Sequence, residues 1–255
     1  MKKQLFALLL ALVPMVGFAA QGGVHLEEMT PDLEDKPSLQ NGMKLFVNYC
    51  MGCHSLAYQR FARAAEDLNI PRELVEKNLI FSSDLAFNDQ MHIAMNNGDA
   101  KNWFGAPPPD LTLESRLRGT DWIYTYLQSF YKDPTRPTGV NNKVFPLVAM
   151  PNVLEPLQGV QEMVCAATDK PIKGAELDPL SGKYQSCETL QVTKPGEMEP
   201  AEFEEAVYDI TNFLAYVGEP SKLQAQSLGP KVLIFIFIFG VISYLLKREY
   251  WRDVH

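Results

Sequence analysis

The sequence predicts a mainly α protein: one helical domain interrupted by long loop insertions, followed by a single C-terminal transmembrane helix. Three observations carry this expectation. Apolar residues recur at helical spacing from Leu39 to Cys50 and again from Phe203 to Val217. Prolines punctuate the chain at Ala106 to Pro109 and Pro134 to Pro137, where long connections are expected. An uncharged run from Val232 to Leu246 is apolar on every face, as a helix in lipid requires. At 255 residues, with 46% hydrophobic and 11% aromatic side chains, the chain can fill one sizeable core.

Taken in order, residues 1–20 combine Lys2 and Lys3, an apolar run from Leu5, and small residues at Gly17, Ala19 and Ala20. That is the pattern of a secretory signal peptide, with no stop-transfer flank, and it implies an oxidising compartment for the mature chain. Residues 21–227 form the expected exported domain. Ser38 is placed to cap a helix through Leu39, Met43, Phe46 and Cys50. Shorter helices are expected near Arg60 to Leu68, Pro71 to Leu79, Asp84 to Met95 and Thr120 to Tyr131, and the polar stretch from Ala166 to Lys194 reads as a loop. A last soluble helix starts at Pro200, carries Glu202, Glu204 and Glu205 in its acidic first turns, and stops at Gly218 and Pro220. Residues 228–248 are the expected membrane helix. The apolar run alone reaches about 22 Å of a core about 30 Å thick, so Leu228 and the stem of Lys231 must extend it. Lys247, Arg248 and Arg252 against Lys231 predict a cytoplasmic C-terminal tail at 249–255, with Tyr250 and Trp251 at the interface.

The formal charge is −8, and residues 21–230 carry 17 basic and 29 acidic side chains, a net of −12. Such a surface cannot neutralise phosphates, so nucleic acid is excluded as a partner and a basic protein fits better.

Chemistry concentrates at Cys50, Met51, Gly52, Cys53 and His54. This is C-x-x-C-H, the attachment signature of c-type haem. Residues three apart share a helix face, so both thiols can add to the vinyl groups of one porphyrin while His54 reaches the iron. Zinc would need four directed ligands, but the other histidines are only His25, His92 and His255. A dithiol oxidoreductase would set C-x-x-C beside a βαβ pattern, which is missing. The second axial ligand stays open on these grounds. Met91, His92 and Met95 lie on an expected helix, and Met150 lies in a loop stiffened by Pro146 and Pro151. Cys165 and Cys187 bracket about 22 residues and, in an oxidising compartment, are expected to form a disulfide that stabilises by roughly 3 kcal/mol.

C-x-x-C-H-S at Cys50 to Ser55, N-N-G at Asn96 to Gly98, P-P-D-L at Pro108 to Leu111, R-x-R-G at Arg116 to Gly119, F-P-x-x-x-M-P at Phe145 to Pro151 and the single C-terminal apolar helix occur in the order found in the cytochrome c1 family, which the chain resembles over nearly its whole mature length. The resemblance implies a class I cytochrome c-like domain with one covalent haem c. Cys50 and Cys53 would be the thioether anchors, His54 the proximal ligand and Met150 the distal one. Pro109 would lie against the proximal side of the macrocycle, and Arg118 would pair with a haem propionate or, failing that, form an ordinary surface salt bridge. The family's partners would be cytochrome b, the Rieske iron–sulfur protein as donor and a c-type cytochrome as acceptor, in the quinol:cytochrome c oxidoreductase of a bacterial inner membrane with the haem domain in the periplasm. The segment Lys101 to Ala106 is longer than in mitochondrial relatives, and their acidic hinge sequences are not recognisable. A haem enzyme with an open iron position, or a cytochrome belonging to a terminal oxidase, are the competing functions.

Overall fold

A computed structural model describes residues 24–168 and 181–252. The expected signal peptide at 1–20 lies outside the described residues. Helices predominate, and one of them is long and apolar at the C-terminus.

Helix α1 spans Lys36–Leu45 and runs into a π-helical turn at Phe46–Cys50. Its cap is Asp35, whose side chain accepts from the Ser38 amide at 3.1 Å, and not Ser38 as the sequence suggested. Ser38 is buried, and its hydroxyl donates instead to Asp209 Oδ1 at 2.6 Å. Helix α2 covers Phe61–Leu68 and ends on Asn69, held in the left-handed region at φ 57°. Helix α3 covers Arg72–Asn78 and α4 Asn97–Phe104; α5 spans Glu114–Arg118, α6 Thr120–Gln128 and α7 Glu155–Gln158. Helix α8, Pro200–Gly218, begins in a reciprocal capping box between Glu199 and Glu202 and buries Phe203, Val207, Ile210, Leu214 and Val217, the residues its periodicity marked.

Helices α1 and α8 cross at the centre of the core. Gly42 permits the approach: a Cβ there would lie 2.0 Å from the Asp209 carbonyl oxygen and 2.8 Å from Phe213 Cβ. Beside it, the rings of Phe46 and Phe213 sit 5.9 Å apart. Leu39, Met43, Phe61, Leu68, Ile123 and Leu127 complete the same cluster.

Among the described residues, six strands form three two-stranded antiparallel ribbons. Strand β1 (Leu56–Arg60) pairs with β2 (Gln90–Met91), and β3 (Phe130–Lys132) with β4 (Val140–Asn142). The helix expected from Asp84 to Met95 is absent: Ala86 and Asp84 amides donate to Asp89 Oδ2 and Ser82 Oγ, and these local side-chain bonds replace a helical ladder. The expected loop at Ala166 to Lys194 belongs largely to a hairpin of β5 (Gly159–Thr168) and β6 (Tyr184–Pro195). The hairpin is rooted on the domain where Gln161 Nε2 donates to the Gln128 and Phe130 carbonyls at 3.0 and 2.8 Å.

Helix α9, Lys222–Tyr250, is 29 residues long, about 43 Å at 1.5 Å per residue. None of its side chains is buried in the protein. Among the described residues it is the one helix long and apolar enough to cross a membrane.

Candidate haem site

The site begins where α1 loosens. The π turn closes with the Met51 amide on the Phe46 carbonyl at 2.9 Å, and the Cys53 and His54 amides then both donate to the Cys50 carbonyl, at 3.0 and 2.9 Å. This folds the pentapeptide tightly onto the helix end. Cys50 is buried, Cys53 half-buried, and both thiols are free. Burial, with Cys53 adding to it, pushes the Cys50 thiol up to about 12, so it is a neutral thiol at physiological pH.

His54 is buried, and its Nδ1 lies 2.7 Å from the carbonyl oxygen of Pro109. A carbonyl can only accept, so Nδ1 carries the proton and the lone pair sits on Nε2. Desolvation lowers the His54 pKa against the opposing effects of the Pro109 carbonyl, Asp110 and Glu114, which keeps the ring neutral. The Pro109 strap is itself fixed. The Leu111 amide donates to the Ser55 carbonyl at 2.9 Å, and the Ala57 amide to Asp110 Oδ2 at 2.7 Å. Pro109 thus orients the imidazole through its main chain.

Met150 belongs to a second cluster. The Tyr126 hydroxyl donates to Met150 Sδ at 3.3 Å. Trp122 stacks on the Tyr126 ring with centroids 4.8 Å apart and planes 10° from parallel. The Arg118 guanidinium lies 4.4 Å over Trp122 and 5.7 Å over Phe145, while its Nε donates to Glu114 at 3.0 Å. Arg118 therefore forms an ion pair on its own helix and a cation–π contact. The Met150 loop is held chiefly by residues the sequence did not single out. Asn142, fully buried, accepts from the Val144 and Phe145 amides at 2.9 and 3.0 Å and donates to the Tyr126 carbonyl at 2.8 Å. Leu147 sits at φ 64°, its amide on Asn141 Oδ1 and its carbonyl on the Arg136 guanidinium, both at 2.8 Å. An Asn-Asn pair ahead of Phe-Pro is a turn signal that could have pointed to this cradle.

His92 is exposed and hydrogen-bonds Gln90 Oε1 at 3.0 Å; Met91 is buried in the core. Cys165, on β5, is disulfide-bonded. The Cys187 side chain lies outside the described residues, although its strand runs beside β5 with Val164 opposite Thr189 and Ala166 opposite Ser186.

Two free thiols three residues apart, a neutral imidazole with Nε2 unclaimed by Pro109, and a thioether sulfur form a donor set that suits a covalently attached haem. Together with a C-terminal apolar helix, this is the equipment of a membrane-anchored cytochrome. The chain belongs to the cytochrome c1 family, which it matches over residues 27–163 and 192–254. The interval between those stretches takes in the last residues of β5 and the first residues of β6, and with them Cys165 and Cys187. The chain is 46% identical over 255 residues to cytochrome c1 of Allochromatium vinosum, covering 100% of both chains. It is 40% identical over 251 residues to a Nitrosomonas europaea protein named ammonia monooxygenase gamma subunit, covering 98% of this chain and 97% of that one. A cytochrome b/c1 of Bradyrhizobium diazoefficiens is 26% identical over 254 residues, which cover 87% of this chain and 34% of that protein.

Proposed function

We propose that this chain is the haem c subunit of a quinol:cytochrome c oxidoreductase, taking single electrons from a Rieske iron–sulfur protein and passing them to a c-type cytochrome. The observation that carries the reading is the His54 imidazole, its Nδ1 bound to the Pro109 carbonyl at 2.7 Å, set directly after two free thiols. Cys50 and Cys53 would hold the haem through thioethers, with the His54 nitrogen and the Met150 sulfur as its protein ligands. Arg118 is the proposed partner of a haem propionate. When bound, the haem supplies a reversible one-electron couple. The protein's work would be to hold the His54 and Met150 donors at fixed orientation, so that little reorganises when the charge changes, and to keep the His54 side desolvated. Neutral nitrogen and thioether donors and a desolvated site favour the ferrous form, which suits an acceptor late in a quinol-oxidising chain.

In the same reading residues 1–20 are a signal peptide, 21–227 the periplasmic domain, 228–248 the membrane helix beside cytochrome b, and 249–255 the cytoplasmic tail of a bacterial inner-membrane protein. A Cys165–Cys187 bridge fits oxidising surroundings.

Purification of the full chain in mild detergent from its own membrane tests this. The expected result is a reduced-minus-oxidised spectrum of c-type haem, pigment that survives acid–acetone extraction, and co-purification of a dihaem cytochrome b with an iron–sulfur subunit. Colourless polypeptide after extraction, or recovery with monooxygenase or terminal-oxidase subunits instead, would overturn it.

A further inference from the structure

We infer that Tyr126 is a positioning residue for Met150, and that its hydroxyl tunes the sulfur as an electron donor to the metal. This rests on the reading of Met150 as the distal ligand. Tyr126 grips the Met150 loop at two places. Its carbonyl accepts from Asn142 Nδ2 at 2.8 Å, and its hydroxyl donates to Met150 Sδ at 3.3 Å. The ring between these groups is itself clamped, stacked on Trp122 at 4.8 Å and met edge-on by Phe130 at 5.1 Å with planes 68° apart. A phenol so packed cannot swing away from the sulfur without breaking both aromatic contacts.

A thioether sulfur has two lone pairs. A hydroxyl donating to one of them draws electron density from the sulfur and leaves the other as a weaker donor. Ferric iron gains more from a strong donor than ferrous iron does, so the hydrogen bond favours the reduced state. The same bond fixes the rotation of the methionine about its terminal torsions, which are otherwise the loosest in the side chain.

Tyr126→Phe in the full-length holoprotein removes the donor and keeps the ring. The expected result is a reduction equilibrium shifted toward the ferric form on the order of three- to tenfold, about the worth of one hydrogen bond; tenfold corresponds to a midpoint about 59 mV lower. The ferric sulfur-to-iron charge-transfer band should persist, and added cyanide or imidazole should displace the methionine less readily, because the sulfur binds ferric iron more strongly. An unchanged or raised midpoint, or loss of the band in folded protein, would overturn the inference. Met150→Leu, measured in parallel, should abolish the band. If the band survives there, the ligand assignment itself fails, whereas loss of the band there with an unmoved midpoint in Tyr126→Phe refutes only the role of Tyr126.

Discussion

Gly42→Ala tests the helix crossing that leads into Cys50 and Cys53, the proposed haem anchors. The added methyl carbon would lie 2.0 Å from the Asp209 carbonyl oxygen, 2.7 Å from its carbon and 2.8 Å from Phe213 Cβ. Two of these three atoms are backbone, so no side chain can rotate to make room. The helices α1 and α8 must separate by about an ångström or more, which loosens the Phe46–Phe213 contact next to the crossing. Overpacking of this kind costs about 3 kcal/mol at the upper end of its range, and alanine returns about 1 kcal/mol through its helix propensity. The net loss of about 2 kcal/mol corresponds to a fall of roughly 4–8 °C for a chain of this size. The assay is thermal unfolding of the holoprotein in detergent, followed by far-ultraviolet circular dichroism and by haem absorbance. Gly229→Ala, where a Cβ meets nothing within 4 Å, is the control and should not fall. A Gly42→Ala midpoint within about 2 °C of the parent would refute the argument that backbone contact makes this crossing rigid.

Asn142→Ala leaves the Val144 and Phe145 amides and the Tyr126 carbonyl without their side-chain partner; a loss of about 2–4 kcal/mol is expected. Faster amide exchange at residues 144–150 with α1 unaffected would bear this out, and uniform protection would refute it. Asp133 accepts from the Thr135 hydroxyl and amide and from Asn141 Nδ2, first among the causes that hold its carboxyl below its ordinary 3.8. A depressed pKa contributes stability that is present above 3.8 and lost as pH falls through the lower folded value. The Thr135 amide resonance should therefore titrate with a midpoint below 3.8, and a midpoint at or above it would refute the contact. Native protein treated with an alkylating agent should take up no label at Cys165 or Cys187 until it is reduced; labelling of both before reduction would exclude the bridge.

What could be read from the sequence depended on how local its cause was. Helix α8 was legible because Pro200, the acidic first turn and the spacing from Phe203 to Val217 all act within the helix. The cap of α1 is not legible in this way, because Ser38 answers to Asp209, far along the chain, and Asp35 caps the helix instead. The stretch from Asp84 to Met95 has helical spacing, but Ser82 and Asp89 satisfy its amides locally, and Met91 pairs with Leu56 across a strand ribbon. The β5–β6 hairpin carries no alternation of apolar and polar residues to betray it, because much of it faces solvent on both sides and backbone pairing holds it. In the site the split is the same. The pentapeptide at Cys50 is a contiguous motif, whereas Tyr126 and Asn142 look from sequence like an ordinary core aromatic and a turn residue. Their roles exist only once α6 and the Met150 loop are packed together.

That packing gives the irregular N-terminal segment a task of its own. The Glu27 and Met29 amides donate to Thr125 and Asp121, and Thr120 donates back to the Met29 carbonyl, all on α6. A few residues later, the Thr30 and Asp32 carbonyls accept from Tyr208 and Asn212 on α8, and Asp35 caps α1. One extended stretch therefore ties α6, whose Tyr126 holds Met150, to the crossing from which α1 presents Cys50 and His54. Helix α8 is the common support. It meets α1 at Gly42 and takes the Ser115 hydroxyl of α5 on its Leu214 carbonyl at 2.8 Å. Helix α5 follows the Pro109 strap that orients His54. If His54 and Met150 are the proposed ligand pair, two donors nearly 100 residues apart in sequence need such a frame, because each is set by a different loop and only a shared rigid element can keep their separation constant. In the proposed one-electron role this would count directly: the less the two donors shift when the charge on the metal changes, the smaller the reorganisation each transfer would have to overcome.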